Sequence, residues 1–351
     1  MEFTGFLWFS IISVMLTIYV ILDGFDLGAG ALHLFLGRSD TERRKIMKSI
    51  GPVWDGNEVW LLATGGVLYF VFPQLYASSF SGFYLPLMMV LWLLMLRAIG
   101  LEFRTHIDEG VWASFFDGIF SLGSLLLCIF YGAALGNVVR GLPLGPDHYF
   151  FLPLWTNWNV APRQGVLDWY TVLSGVVTLV ALCMHGANYL VVKTDGELNQ
   201  RARTTSLVLT PVLLVLTILS LVATIAIHPN ITTNYNALPI GYVIPVGVFA
   251  SLVAVFIFQK GRKEMAAFIS GALYLLFMMV GAVYALYPVI LPAMDPQYSL
   301  TIKNSITSAY ALEVGFRWWI VGILIAIAYF VFLYRMFRGK VKLEEGSGYG
   351  D

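Results

Sequence analysis

Acidic side chains lie inside two of the long apolar stretches of this chain, where an ionised carboxyl is costly. Asp23 and Asp26 are three residues apart in the first stretch. Asp55 and Glu58 have the same spacing in the second stretch. On a helix this spacing places both members of a pair on one face. A charge at the bilayer centre costs about 2.5–3.5 kcal/mol on insertion scales, so such groups are paired, neutralised or hydrated. Together with Asn57, the four carboxyls could line a polar track with the chemistry of a proton relay.

The same acids also admit a structural interpretation. Asp55 lies near the predicted start of the second helix, where the helix dipole favours an acid. Asp23 and Asp26 could each pair with an Arg or Lys of a partner protein. For any single acid, pairing and proton handling both stay open. The grouping of four carboxyls favours proton handling for the set as a whole.

The composition places these acids in a membrane protein. Of the 351 residues, 58% are hydrophobic and 12% are charged, whereas a soluble domain carries about 25% charged residues. Several apolar runs are long enough to cross a hydrocarbon core of about 30 Å as helices. We therefore predict one all-α, polytopic integral-membrane domain over residues 1–351. Its nine predicted spans cover approximately residues 6–36, 51–75, 80–101, 114–139, 166–192, 205–228, 240–259, 264–290 and 311–337.

The distribution of Lys and Arg predicts the orientation of the chain. With nine spans, 17 of the 21 Lys and Arg residues fall on one side of the membrane. Basic loops stay in the cytoplasm, so the N-terminus is predicted outside and the C-terminus inside. An eight-span arrangement would divide the basic loops between the two sides. The net charge of zero gives no global field that would attract a nucleic acid, and no such partner is expected.

Other polar and aromatic residues flank the acids. Arg97 and Glu102 frame the inner end of the third predicted span. Trp54 and Trp60 bracket the second acidic pair. We predict that these four residues support the site structurally and do not carry protons.

The histidines give no evidence of a redox centre on this chain. A bound haem needs axial ligands, and only His33 and His185 lie within predicted spans. No two histidines have a spacing that would place a haem between them. For His185 a hydrogen-bonded packing role is favoured over ligation. The two cysteines, Cys128 and Cys183, lack a CxxC spacing and are interpreted as packing residues.

Three segments carry a resemblance to a known family. They read DGFDLG over residues 23–28, GRSDTERR over 37–44 and WDGNEVWL over 54–61. Further matching segments are 80–84, 97–104, 186–190, 288–292 and 299–301. Over nearly its whole length the chain resembles subunit II of the cytochrome bd-type quinol oxidases.

The resemblance implies an electrogenic terminal oxidase of the bacterial inner membrane, which oxidises membrane quinol and reduces dioxygen to water with cytoplasmic protons. It implies two four-helix bundles plus one peripheral helix. It places haem b and haem d in a partner, subunit I, and none on this chain. The proton-path aspartate of the family corresponds to Asp55. A structural quinone on this chain and a small single-span third subunit stay open, and membrane quinol and lipid are the other expected partners.

Two alternatives stay open at the level of the residues. Acids in the first span and glycines that interrupt it are also compatible with a secondary transporter, although no inverted repeat is visible. A purely structural subunit, whose apolar interior holds lipid or quinone, is the other alternative.

Overall fold

The computed structural model describes residues 2–107 and 109–342, and most of these residues are helical. A two-stranded antiparallel sheet joins β1 (Val289–Leu291) to β2 (Leu300–Thr301). In chain order the helices are α1 (Glu2–Ala31), α2 (His33–Leu36), α3 (Asp40–Val71), α4 (Pro73–Gly82), α5 (Tyr84–Phe103), α6 (Gly110–Arg140), α7 (Trp169–Lys193), α8 (Gly196–Ile227), α9 (Thr233–Ala237), α10 (Val243–Lys260), α11 (Glu264–Leu286), α12 (Ile302–Ser305) and α13 (Ala309–Met336).

The helices agree with the predicted polytopic fold. Within the described residues, eight helices are long and apolar enough to cross a membrane. A ninth span results if the bent pair α3 and α4 is counted as one. Helices α1, α3, α5 and α6 form a first group, and α7, α8, α10 and α11 form a second. Helix α13 packs against α3 and has little buried surface, so it is peripheral.

Helix α3 begins well before the predicted second span, which started at residue 51. Its first residue is Asp40, and the hydroxyl of Ser39 accepts a hydrogen bond from the Glu42 amide at 3.3 Å as an N-cap. The segment of residues 40–48 is highly charged, so a search for apolar runs does not detect it. It is helical because one face is buried through residues such as Ile46.

This early start changes the position of Asp55. At 3.6 residues per turn, Asp55 lies about four turns inside α3 and not at its start. The interpretation of Asp55 as a residue placed by the helix dipole is therefore wrong. At its other end α3 stops at Val71, and Pro73 opens α4 at an angle of 120°. Pro73 has no amide hydrogen to continue the hydrogen bonding of α3, and it lies in the first turn of α4, where a proline is tolerated.

Ion pairs gather the basic connections at one end of the molecule, which we call the basic end. Lys45 Nζ lies 3.1 Å from Asp195 Oδ1, joining the start of α3 to the connection between α7 and α8. The hydrogen bond from Lys45 holds the pKa of the exposed Asp195 carboxyl below its ordinary value. Lys340, after α13, lies 3.0 Å from Glu264 Oε2 at the start of α11. This grouping matches the nine-span arrangement of the basic loops.

The two groups of helices meet along α1 and α7, where two glycines let the backbones touch. A methyl group on Gly28 would lie 1.8 Å from the carbonyl oxygen of Leu182. A methyl group on Gly186 would lie 2.3 Å from the amide nitrogen of Ala29. Small residues permit this close helix approach in membranes. The contact fixes α1, with both of its acids, against the second group.

Gly28→Ala is therefore expected to destabilise the protein by about 1–3 kcal/mol, because the methyl group must displace the backbone of α7. The measurement is the thermal denaturation midpoint of the purified complex. Gly118→Ala on α6 is the matched control, since no heavy atom lies within 4 Å of its added methyl group. That control should stay within about 0.5 kcal/mol of the wild type. Equal stability of the two variants would contradict the close contact of α1 and α7.

Candidate functional site

A buried ion pair joins α1 to α5 in the first group of helices. Arg97 Nη1 donates to Asp23 Oδ2 at 3.0 Å, and Arg97 Nη2 donates to Asp23 Oδ1. The two side chains are 1% and 0% exposed. Two parallel hydrogen bonds of this kind fix both side chains in direction as well as distance. Asp23 is therefore ion-paired, as the structural interpretation expected. Its cation, however, belongs to this chain and not to a partner protein.

Asp26 is equally buried but has a different environment. Asn57 Nδ2 donates to Asp26 Oδ2 at 2.7 Å and to the Leu22 carbonyl at 3.3 Å. The Tyr334 hydroxyl donates to Asn57 Oδ1 at 2.8 Å, which fixes the orientation of the amide. The other carboxyl oxygen, Asp26 Oδ1, is buried and has no hydrogen-bond partner among the described residues. Asp26 can thus exchange a proton without breaking an ion pair.

The two acids of α3 lie nearer the surface than those of α1. Asp55 is exposed and Glu58 is half-buried. Glu58 interacts electrostatically with Arg97, Asp23 and Asp55, and Asp26 interacts with Glu58. The carboxyls therefore do not form one uniform track. They form a series of increasing burial from Asp55 through Glu58 to Asp26, beside the ion-paired Asp23.

The four residues predicted to support the site lie in two different parts of the structure. Trp54 Nε1 donates to Glu102 Oε1 at 3.3 Å, which joins α3 to α5. The Arg97 guanidinium carbon lies 6.0 Å from the centroid of the Trp54 ring, a cation–π contact. Trp60 is also buried, but its ring packs 5.5 Å from that of Phe330 on α13. Trp54, Glu102 and Arg97 therefore surround the acids, whereas Trp60 attaches the peripheral helix.

Sequence reasoning missed Tyr334 and a second ionic cluster at the basic end. In that cluster Asp117 Oδ1 accepts a hydrogen bond from His33 Nε2 at 2.7 Å. Its Oδ2 accepts from Arg104 Nη2 at 3.1 Å and from Arg43 Nη1 at 3.2 Å. His33 and Asp117 are 84 positions apart, and Tyr334 is 277 positions from Asn57. No local pattern connects residues at such separations, so nothing in the sequence alone could have identified these pairs.

The two histidines within or next to the first and seventh helices are each held by a hydrogen bond at one ring nitrogen. His33 Nε2 is bound to Asp117, as described above. His185 Nε2 donates to the Ile21 carbonyl at 3.1 Å, and its ring stacks on Phe268 with centroids 4.9 Å apart. In each ring one nitrogen is thus engaged by a neighbour, while the other, Nδ1, is buried without a hydrogen-bond partner among the described residues. Over residues 2–107 and 109–342, no three His, Cys, Asp or Glu side chains are placed to hold a metal ion.

The fold and the site together define a polytopic helical membrane subunit with two buried acids on α1 and two less buried acids on α3. A family model described as cytochrome bd terminal oxidase subunit II matches residues 4–337. The chain belongs to this family. It is a subunit of a quinol oxidase complex in the bacterial inner membrane.

Individual relatives agree with this family. The chain is 32% identical to the cytochrome bd-I ubiquinol oxidase subunit 2 of Escherichia coli K12, over 98% of this chain and 97% of that one. It is 31% identical to the cytochrome bd ubiquinol oxidase subunit 2 of Bacillus subtilis, over 98% of both chains. In fold it is similar to a chain of the solved bd oxidase from Geobacillus thermodenitrificans, with a TM-score of 0.74, 20% identity and coverage of 95% of this chain and 98% of that one.

The comparisons decide several of the predictions made from the sequence. The predicted membership in the subunit II family is confirmed, and so is the all-α polytopic class. The family implies a complex that contains haem and a partner subunit I. The secondary-transporter alternative is set aside.

Proposed function

We propose that this chain conducts protons from the cytoplasm, through Asp55, Glu58 and Asp26, toward a haem site in subunit I at which dioxygen is reduced to water. The observation that carries the proposal is the increase in burial along these three carboxyls, which ends at an Asp26 oxygen without a hydrogen bond. Buried ionisable groups in membrane helices commonly serve as proton relays. In this account Asp23 does not carry protons, because Arg97 holds both of its oxygens.

The exposed face of α3 supports a docking position for subunit I. Asp55 shares this exposed surface with Val59 and Leu62. A carboxyl four turns inside a spanning helix is costly against lipid, so a protein partner is the favourable neighbour. Gly65 and Gly66 lie further along α3, and no heavy atom lies within 4 Å of their added methyl positions. Such small residues would let a helix of subunit I approach closely.

We also propose an orientation of the chain in the membrane and a location for the haem cofactors. The basic end faces the cytoplasm, because basic loops are retained there; the N-terminus then lies outside and the C-terminus inside. Haem b and haem d are assigned to subunit I. The packing of α1 against α7 supports one integral-membrane domain over the whole chain. A small single-span subunit or a structural quinone would be compatible with the exposed apolar surface of α13.

Asp55→Asn tests the entry of this route. We expect oxygen consumption by the assembled complex to fall by about three- to tenfold, less than for a buried relay group because water can partly replace an exposed carboxyl. Haem absorption spectra should stay normal. Glu109→Gln, which neutralises an exposed acid at the start of α6, is the matched control and should keep the wild-type rate. Normal turnover by the Asp55 variant would remove Asp55 from the proton route.

A purely structural role is the second candidate, and the Asp23–Arg97 pair favours it. A buried ion pair that joins α1 to α5 can support assembly without any proton transfer. Under this alternative, variants that neutralise Asp55 or Asp26 would assemble and turn over normally. Only removal of the subunit, or of the ion pair, would then abolish activity.

A further inference from the structure

A second set of buried polar side chains crosses the other group of helices, starting at the basic end. Arg203 on α8 donates from Nη2 to Glu264 Oε1 at 2.7 Å and from Nη1 to Gln259 Oε1 at 3.1 Å. Gln259 Nε2 on α10 donates to Asn188 Oδ1 on α7 at 2.6 Å. Ser206 Oγ donates to the same Asn188 oxygen at 2.6 Å. This polar column therefore links four helices, α7, α8, α10 and α11, by hydrogen bonds.

The direction of each hydrogen bond in the polar column is fixed by Arg203. A guanidinium only donates, so the Gln259 side-chain atom that faces it must be the oxygen. The Gln259 amide nitrogen then points to Asn188, whose facing atom must in turn be its oxygen. Asn188 Nδ2 is left as a donor at the inner end of the column. Its one recorded contact is Met184 Sδ at 3.5 Å, a weak acceptor.

A hydrogen bond between α1 and α7 fixes the tautomer of His185, which lies three residues before Asn188. The Ile21 carbonyl can only accept, so His185 Nε2 carries the hydrogen of their 3.1 Å bond. The other ring nitrogen, Nδ1, is therefore an acceptor with a free lone pair. His185 is 0% exposed, and Nδ1 has no hydrogen-bond partner in the described part of the chain. Buried acceptors are normally hydrogen-bonded, so a donor is expected near His185 Nδ1.

The donor of Asn188 and the acceptor of His185 both face Gly271 on α11. An atom at the methyl position of an alanine there would lie 3.0 Å from His185 Nδ1 and 3.2 Å from Asn188 Nδ2. One small group next to Gly271 would thus be within hydrogen-bond distance of both. The described structure has no direct hydrogen bond between the two side chains, although both are present in it. His185 Nδ1 thus offers an acceptor, and Asn188 Nδ2 a donor, close to the same point beside Gly271.

We propose that His185, Asn188 and Gly271 form a binding site for one buried water molecule. The water accepts a hydrogen bond from Asn188 Nδ2 and donates one to His185 Nδ1. Buried waters typically occupy positions between polar groups that are otherwise unsatisfied. The water would bridge two side chains of α7 next to the glycine face of α11, and the His185 ring is joined to α1 by its separate bond to the Ile21 carbonyl.

This water site lies outside the proposed proton route. Arg203 keeps its proton in a protein, and the Ile21 carbonyl cannot pass a proton on, so neither end of the connection conducts. The inference therefore does not depend on the roles of Asp55 and Asp26. Its effect is to fix the orientation of the His185 ring, whose Nε2 is hydrogen-bonded to α1.

A density map of the wild-type assembled complex, at a resolution that shows other buried waters, tests the site directly. We expect a water peak within hydrogen-bond distance of His185 Nδ1 and Asn188 Nδ2. A direct hydrogen bond between these two side chains, or no density between them at that resolution, would overturn the proposal. This first measurement needs no variant, so it does not depend on whether a substituted protein folds.

Gly271→Ala provides the second measurement. Its methyl group would lie 3.0 Å from His185 Nδ1 and 3.2 Å from Asn188 Nδ2, too close to leave room for a water that bridges them, so the peak should be lost from the map of this variant. Gly281→Ala on the same helix is the matched control, because its methyl group meets only ordinary contacts at 3.4 and 3.5 Å. The control should retain the peak. A peak that stays in place in Gly271→Ala would show that the water, if bound, is not held by these residues.

Discussion

Arg97→Met is expected to destabilise the assembled complex by about 3–5 kcal/mol, the typical cost of removing one partner of a buried ion pair. The substitution leaves the Asp23 carboxylate fully buried without its cation. It also removes the cation–π contact with Trp54. The measurements are the thermal denaturation midpoint and the yield of intact complex after purification.

The double variant Asp23→Leu with Arg97→Met separates the ion pair from general packing. Replacing both partners by apolar residues is often neutral or stabilising, because no unpaired charge is left behind. We therefore expect the double variant to recover most of the stability lost in Arg97→Met. If it is as unstable as the single variant, the cost does not come from an uncompensated Asp23, and the structural role assigned to the pair is wrong.

Asp26→Asn is expected to lower the rate of oxygen consumption by about a hundredfold, at the lower end of the range for a positioned proton-transfer group. Asparagine has nearly the same shape as aspartate, and the site would keep a hydrogen-bonding partner for Asn57. It cannot take up and release a proton, however. Haem spectra and the thermal denaturation midpoint should therefore change little while turnover falls. The measurement is steady-state oxygen uptake with a soluble quinol.

Asp26→Glu is the matched control for this experiment. It retains a carboxyl on α1 but adds one methylene group to a fully buried site, which costs some packing. We expect it to keep clearly more activity than Asp26→Asn, even where its stability is lower. Wild-type turnover in Asp26→Asn would contradict a proton route through this residue and would favour the structural alternative.

The sequence was sufficient for the membrane class and the all-α polytopic fold. Long apolar runs identify spanning helices because the bilayer thickness sets their length. The spacing of three residues placed Asp23 with Asp26, and Asp55 with Glu58, on common helix faces before any coordinates were known. The family resemblance over the first hundred residues added the subunit II assignment.

The pairing within the site could not be predicted, because it depends on packing between distant segments. Asp23 is held by Arg97, 74 positions away, and this contact decides that the two acids of α1 differ in environment. Sequence spacing treats Asp23 and Asp26 as equivalent. The start of α3 at Asp40 was also missed, because a charged helix outside the apolar core leaves no hydropathy signal. Because the start was missed, the sequence prediction placed Asp55 near the beginning of its helix.

Proton uptake from the medium is the most direct test of the proposed proton route. The reduced wild-type and Asp26→Asn complexes would react with dioxygen in a single turnover, with a pH-indicator dye in weakly buffered solution. The account predicts that uptake slows by about a hundredfold in the variant, in step with its turnover, while electron transfer steps that need no proton keep their rate. Proton uptake at the wild-type rate in Asp26→Asn would contradict the claim that the carboxyls of α1 and α3 supply the protons.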